Sequence, residues 1–280
     1  MTIPIIDTHQ HLIYSDKWTY GWTRGFAALA SKPFHIEDYL HEIEETGISS
    51  SILMEATPDA WREEASFAYE LASNPNLLIG AVIANCHPEE DGFEEYLDSI
   101  QSDRLVGLRR TCHMEDDSLS QQATFRESVR RIGDCGLTFD LCFLARQLPL
   151  AMDLARACPK TQFILDHCGI PDIAGGALDP WRENMRRFAA LPNVACKISG
   201  VLAYCSPDNA TATAVRPYIE HSIECFGWDR VVWGSDWPVC NLTASLKRWV
   251  DVSLEIVGAA SESEQIRLFR DNAIRLYTLR

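Results

Sequence analysis

A single (β/α)8 barrel of the TIM type, spanning residues 1–280, is predicted by three features of the chain. It contains eight short runs rich in Val, Ile and Leu, they are separated by segments of helical period, and their starts recur at roughly 25 to 37 residues after a longer first interval, the size of a strand-plus-helix unit. The runs fall at residues 4–7, 51–55, 77–84, 105–109, 137–143, 162–166, 194–198 and 231–235. They are nearly continuously apolar, as parallel strands covered on both faces must be. A doubly wound open sheet competes, but no Gly-x-Gly-x-x-Gly follows the first run.

The segments between the runs carry helical punctuation. Ile36, Leu40 and Ile43 form one apolar stripe, with Gly47 as its stop. Pro58-Asp59 opens the next helix, whose Trp61, Phe67, Ala68 and Leu71 are apolar before Asn74-Pro75 ends it. Residues 89–100, 122–133, 148–157, 180–191, 207–226, 245–257 and 262–279 repeat the pattern. Only residues 12–32 are too long and too aromatic for a plain connection, and their Trp18, Tyr20 and Trp22 read as an ordered loop over a site rather than as core.

Composition narrows the partners. A formal net charge of -15 sets the field of the chain against nucleic acid and anionic membrane. The N-terminus lacks a cationic segment followed by an apolar stretch, and no run of about 18 apolar residues occurs, so the expectation is a chain that is not exported and works in the cytoplasm. The 10 cysteines include no Cys-x-x-Cys pair, which removes a zinc ribbon or a dithiol redox motif; Cys142, Cys196 and Cys225 read as small buried hydrophobes.

Barrel enzymes carry their chemistry at the C-terminal ends of the strands. Those ends offer His9 and His11, Glu55, Asn85 and His87, Arg109 and Arg110, Asp140, Asp166 and His167, Lys197 and Ser199, then Ser235, Asp236 and Trp237. Side chains two apart on a strand share a face, so His9 and His11 can place their imidazoles at one level. An isolated His-x-His is as readily an exposed loop, and the other strand ends decide. By the same alternation Arg110 turns to the far face as an ion-pair partner, and Asp166 turns away from His167 and out of the chemistry.

Six segments, Asp7-Thr8-His9-Gln10-His11, Gly107-Leu108-Arg109, Leu165-Asp166-His167-Cys168-Gly169, Lys197-Ile198-Ser199-Gly200, Gly234-Ser235-Asp236-Trp237-Pro238 and Asn272-Ala273 with Tyr277, span nearly the whole chain. In that order they resemble the amidohydrolase superfamily, in its amidohydrolase-2 branch of sugar-lactone and dicarboxylate-lactone hydrolases. The resemblance implies a barrel in which His9, His11 and Asp236 face a common centre with His167 beside them. In metal-bearing relatives the strand-one histidines and the strand-eight aspartate help hold a divalent ion, usually with a histidine from strand five. Here strand five reads Thr138-Phe139-Asp140-Leu141-Cys142, without one. The resemblance therefore implies either one divalent metal on His9, His11 and Asp236, with His167 as a further ligand and Zn2+ the best match to those donors, or metal-free chemistry.

Lactone hydrolysis needs a base for water and donors where the carbonyl oxygen gains charge. Asp236 is the candidate base, and His9, His11 and His167 the groups that polarise the carbonyl. Arg109 offers a fork for a substrate carboxylate or hydroxyl pair. Lys197 either reaches substrate or pairs with Glu55 or Asp140. Trp237 either stacks on a sugar face or packs, while Tyr204 and Trp22 are candidates for specificity. The expected activity is hydrolysis of a small-molecule lactone, carbohydrate-derived (an aldonolactone) or dicarboxylate. A metal-dependent decarboxylase of unsaturated or aromatic acids is the alternative enzyme, and a non-catalytic barrel that binds a sugar acid is the alternative class.

Overall fold

The computed structural model describes residues 3–279. Its eight strands are β1 (Ile5–Gln10), β2 (Ile48–Met54), β3 (Ile79–Asn85), β4 (Leu105–Arg110), β5 (Thr138–Leu141), β6 (Gln162–Leu165), β7 (Val194–Ile198) and β8 (Val231–Trp233). All pair in parallel, each with the next in sequence. The ring is closed just past β8, where Asp236 N donates to His9 O at 2.6 Å and His11 N to Trp237 O at 2.7 Å. This is a (β/α)8 barrel, with every residue of β1, β4 from Gly107 onward, β5, β7 and β8 buried.

Helices cover the outside because their apolar residues recur at helical spacing. Ala123–Asp134 buries Phe125, Val129 and Ile132, and Trp181–Ala189 buries Trp181, Met185 and Phe188. The interior is filled by Ile6, Ile52, Met54, Ala81, Ile83, Ile164, Ala195 and Val232, and closed at its lower end by Ala273, Leu276 and Tyr277 of the C-terminal helical segment. With that end plugged, the strand exits at the other end are left to form a cavity.

Three expectations are corrected. Residues 207–226 are not one helix but a short turn, Pro207–Asn209, followed by Ala212–Phe226, because the Thr211 side chain caps the Ala214 amide and starts the helix anew. Residues 262–279 are likewise broken by a π-helical stretch, Arg267–Asp271. Trp18 and Tyr20 are core, with Trp18 edge-on to Phe67 at 5.3 Å, whereas Trp22 alone of the three lines the cavity. Among the described residues no helix is long and apolar enough to cross a membrane.

Candidate active site

The strand exits surround a cavity of about 240 Å³. Its floor is His11, Arg109, Cys142, His167 and Asp236, and its walls are largely apolar, from Trp22, Phe26, Met114, Leu144, Ile170 and Val239. Tyr204, Thr57, Thr111 and His113 add polar groups. Phe26 and Met114 are the large hydrophobic side chains left exposed among the described residues, and both stand on this wall.

Two floor residues sit where the backbone is strained. His167 leaves β6 at φ 54° and Asp236 leaves β8 at φ 58°, in the left-handed region that costs a side-chain-bearing residue energy and is held by its surroundings. Two glycines leave room for this floor, one against Asp236 and one against His9. Gly200, itself at φ +61°, lies against the Asp236 carboxylate, and a Cβ on Gly234 would stand 2.7 Å from His9 Cβ. Gly200→Ala is therefore expected to displace Asp236 and lower kcat at least about ten-fold with the circular dichroism unchanged; wild-type kcat in that variant would show that the contact does not hold the carboxylate.

The donors converge as the resemblance implied. His9 Nε2 and His11 Nε2 are 3.1 Å apart, and Asp236 Oδ1 lies 3.4 Å from the latter and 3.7 Å from the former. His167 Nδ1 is 3.7 Å from Asp236 Oδ2 and 2.9 Å from Ser199 Oγ. His9 is fully buried behind His11 and Asp236, off the cavity wall. The Met54 carbonyl, 3.2 Å from His11 Nδ1, can only accept, so neutral His11 carries its proton there and turns the Nε2 lone pair toward His9 and Asp236. Two imidazole nitrogens and a carboxylate oxygen at these separations suit the ligand spacing of a tetrahedral ion with bonds of about 2.0 to 2.1 Å. The set can hold one divalent cation, in competition with Arg109 Nη1, which stands 3.1 Å from His9 Nε2.

Beneath this floor lies an ion-pair network that strand alternation only partly foretold. Arg109 is committed to Glu55, through Nε to Oε1 at 2.5 Å and Nη2 to the Glu55 carbonyl at 2.9 Å. Asn85 and Thr57 hold the other Glu55 oxygen. Burial would push Glu55 up, but Arg109 outweighs it and keeps the carboxylate ionised. Lys197, expected in the barrel, pairs with Asp140 and not with Glu55, and stands 3.0 Å from Asp166. Burial opposes its charge, and Asp140 and Asp166 restore it. It is fully buried below His9 and does not reach the cavity, which corrects its assignment to substrate. Trp237 is corrected in the same way: it packs against Phe34 and Tyr39 with no surface exposed. Strand alternation would turn Asp166 away from the site, yet it lies 3.4 Å from His9 Nδ1 and beside Lys197 and Arg109. Arg110 does turn away, to Glu89 and Glu115.

Burial holds three of the imidazoles, His9, His167 and His113, in the neutral form. Burial, reinforced by Lys197, lowers His9 well below the usual range, and burial lowers His167 against the pull of Asp236. Burial, with Arg109 next, brings His113 from 6.5 to about 4. Between those two values the unfolded chain binds a proton that native His113 does not, so its contribution to stability is complete above 6.5 and is lost as the pH falls toward about 4. The urea midpoint should accordingly fall on acidification across that window, and His113→Asn should make the fall shallower; an equal slope in the variant would exclude His113 as a contributor.

Comparison with known proteins gives a consistent set of likenesses. A family model for amidohydrolases matches residues 6–279. An L-fucono-1,5-lactonase of Burkholderia multivorans is 29% identical, the match covering 98% of this chain and 96% of that one. A 2-pyrone-4,6-dicarboxylate hydrolase of Comamonas testosteroni is 31% identical over 54% of this chain and 52% of its own. The crystal structure of an amidohydrolase from Burkholderia multivorans with bound zinc superimposes with a TM-score of 0.90 at 27% identity, over 99% of this chain and 100% of the other.

Proposed function

The chain belongs to the amidohydrolase family, and we propose that it hydrolyses carbohydrate-derived lactones, with Asp236 activating water on the cavity floor. The observation that carries this reading is the convergence of one carboxylate with His11 and His167 at the base of a cavity sized for a small ring. Likeness to a lactonase over nearly the full length of both chains supports it.

Water held by Asp236 attacks the lactone carbonyl carbon, and the carboxylate takes its proton. As the tetrahedral intermediate forms, charge develops on the former carbonyl oxygen. A hydroxyl hydrogen from Ser199 on His167 Nδ1 leaves the proton of neutral His167 on Nε2, as a donor to that oxygen. Collapse breaks the ring C–O bond, and Asp236 returns the proton to the leaving alkoxide, giving the open hydroxy acid. His9 acts through its neighbours, holding His11 and Asp236 in register. A divalent ion held by His9, His11 and Asp236 would supply Lewis-acid polarisation of the carbonyl when bound.

Arg109 sharpens the substrate class. Its fork is filled by Glu55, and no other Lys or Arg lines the cavity among the described residues. A second carboxylate on the substrate would be buried without a free cation. Neutral aldonolactones are expected to show kcat/KM at least about ten-fold above that of unsaturated dicarboxylate lactones. A hydrolysis panel of both classes, followed by proton release, tests the reading. Preference for dicarboxylates would reassign Arg109, and no lactone hydrolysis above the spontaneous rate would end it. A cytoplasmic setting agrees with 10 cysteines that are all free, and residues 1–280 are proposed to act as one barrel domain.

A further inference from the structure

Chemistry at the carbonyl leaves the rest of the ring to be recognised, and most polar side chains on the cavity wall are already engaged. Thr57 Oγ1 donates to Glu55 Oε2 at 2.9 Å and Thr111 Oγ1 to Glu55 Oε1 at 3.5 Å. Arg109 is held by the same carboxylate, and the Trp22 indole donates to the Ala56 carbonyl at 2.8 Å. Two groups outside the floor, the Tyr204 hydroxyl and ring Nε2 of His113, line the cavity without a protein partner among the described residues. His113 belongs to the short turn Cys112–Met114 after β4, and Cys142, the first residue past β5, grips it twice. The His113 amide donates to the Cys142 carbonyl at 3.0 Å, and ring Nδ1 lies 3.1 Å from Cys142 Sγ.

We propose that Cys142 fixes the tautomer of His113, so that its Nε2–H faces the cavity as the donor that reads a hydroxyl of the lactone. Resting on the lactone reading, this narrows the favoured substrates to lactones that carry ring hydroxyls. Burial pushes the Cys142 thiol well above its usual range against the pull of Arg109, so the sulfur keeps its hydrogen. That hydrogen has His113 Nδ1 as its acceptor; with Nδ1 protonated instead, it would have none among the described residues. Neutral imidazole with Nδ1 accepting carries its one hydrogen on Nε2. A donor covered by a ligand that cannot accept from it loses water without compensation. A lactone hydroxyl oxygen accepts the bond, whereas a bare ring carbon leaves the donor unpaired. His113 thus touches the substrate, and Cys142 acts through it as a positioning residue.

Nitrogen-15 shifts of the His113 ring, assigned by their loss in His113→Gln, read the tautomer in the unaltered chain. Protonated Nε2 with bare Nδ1 is expected, and the reverse overturns the proposal. The kinetic readout is the ratio of kcat/KM for a hydroxylated aldonolactone to that for the unsubstituted lactone of the same ring size. It should fall roughly ten-fold in His113→Leu, the size of one hydrogen bond's contribution, and recover in His113→Gln, whose amide reaches the place of Nε2. Cys142→Ala should lower it part of the way and Cys142→Ser should restore it. Cys142→Ala added to His113→Leu should lower it no further, because the thiol acts only through the ring. An unchanged ratio in His113→Leu, or losses that multiply in the double variant, overturns the proposal while wild-type hydrolysis upholds the lactone reading. No hydrolysis of either lactone by the wild type overturns both.

Discussion

Asp236→Asn lowers kcat by about two to four orders of magnitude while the affinity for a neutral lactone stays within a few-fold. The size follows from the loss of a general base, which contributes roughly that factor in positioned proton transfer. The amide keeps the shape of the carboxylate, so the left-handed turn and the contact with Gly200 remain. The backbone bond from residue 236 to the His9 carbonyl, which closes the barrel, involves no side chain and is also kept. What the amide cannot do is accept the proton of water and later return it. A fall in kcat and kcat/KM together, with little change in binding, is the pattern of a group used in the transition state alone. Retained turnover would move the base to another residue.

Lys197→Met destabilises the fold by about 3 to 5 kcal/mol, the cost of removing one partner from a buried ion pair. Lys197, Asp140 and Asp166 are all fully buried, and the ammonium stands between the two carboxylates. Methionine fills much of the volume but leaves both acids without their cation. Tyr277, whose hydroxyl donates to Asp140 Oδ2 at 3.2 Å, cannot replace a positive charge. Adding Asp140→Asn to Lys197→Met should recover part of the loss, and urea unfolding of the two variants measures it. A single variant as stable as wild type would show that the network is not a structural unit.

Much of the barrel was legible because parallel strands buried on both faces read as unbroken apolar runs; β7 has the predicted bounds, and the others shift by a few residues. The floor departs from strand alternation where the chain stops being a strand. Alternation placed Arg109 and Arg110 on opposite faces, and they are, because β4 continues through both. The same rule excluded Asp166, but β6 ends at Leu165 and the chain turns into the left-handed region at His167 and Cys168, so period two no longer applies. Glu55 and Arg109 meet across an intervening strand, a contact no local pattern encodes. Cys142 looked like a buried hydrophobe, and only its partner His113 and its place on the cavity floor distinguish it. Trp237 could stack or pack; Phe34 and Tyr39, about 200 residues away in sequence, decide for packing.

The most direct measurement is the rate of proton release from a neutral aldonolactone, read side by side for the wild-type chain and Asp236→Asn against the spontaneous background. Saturable acceleration by the wild type and its near-complete loss in the variant are what a carboxylate base on this floor requires. Equal rates for the two proteins, or no acceleration by either together with carbon dioxide release from an aromatic acid, would contradict it.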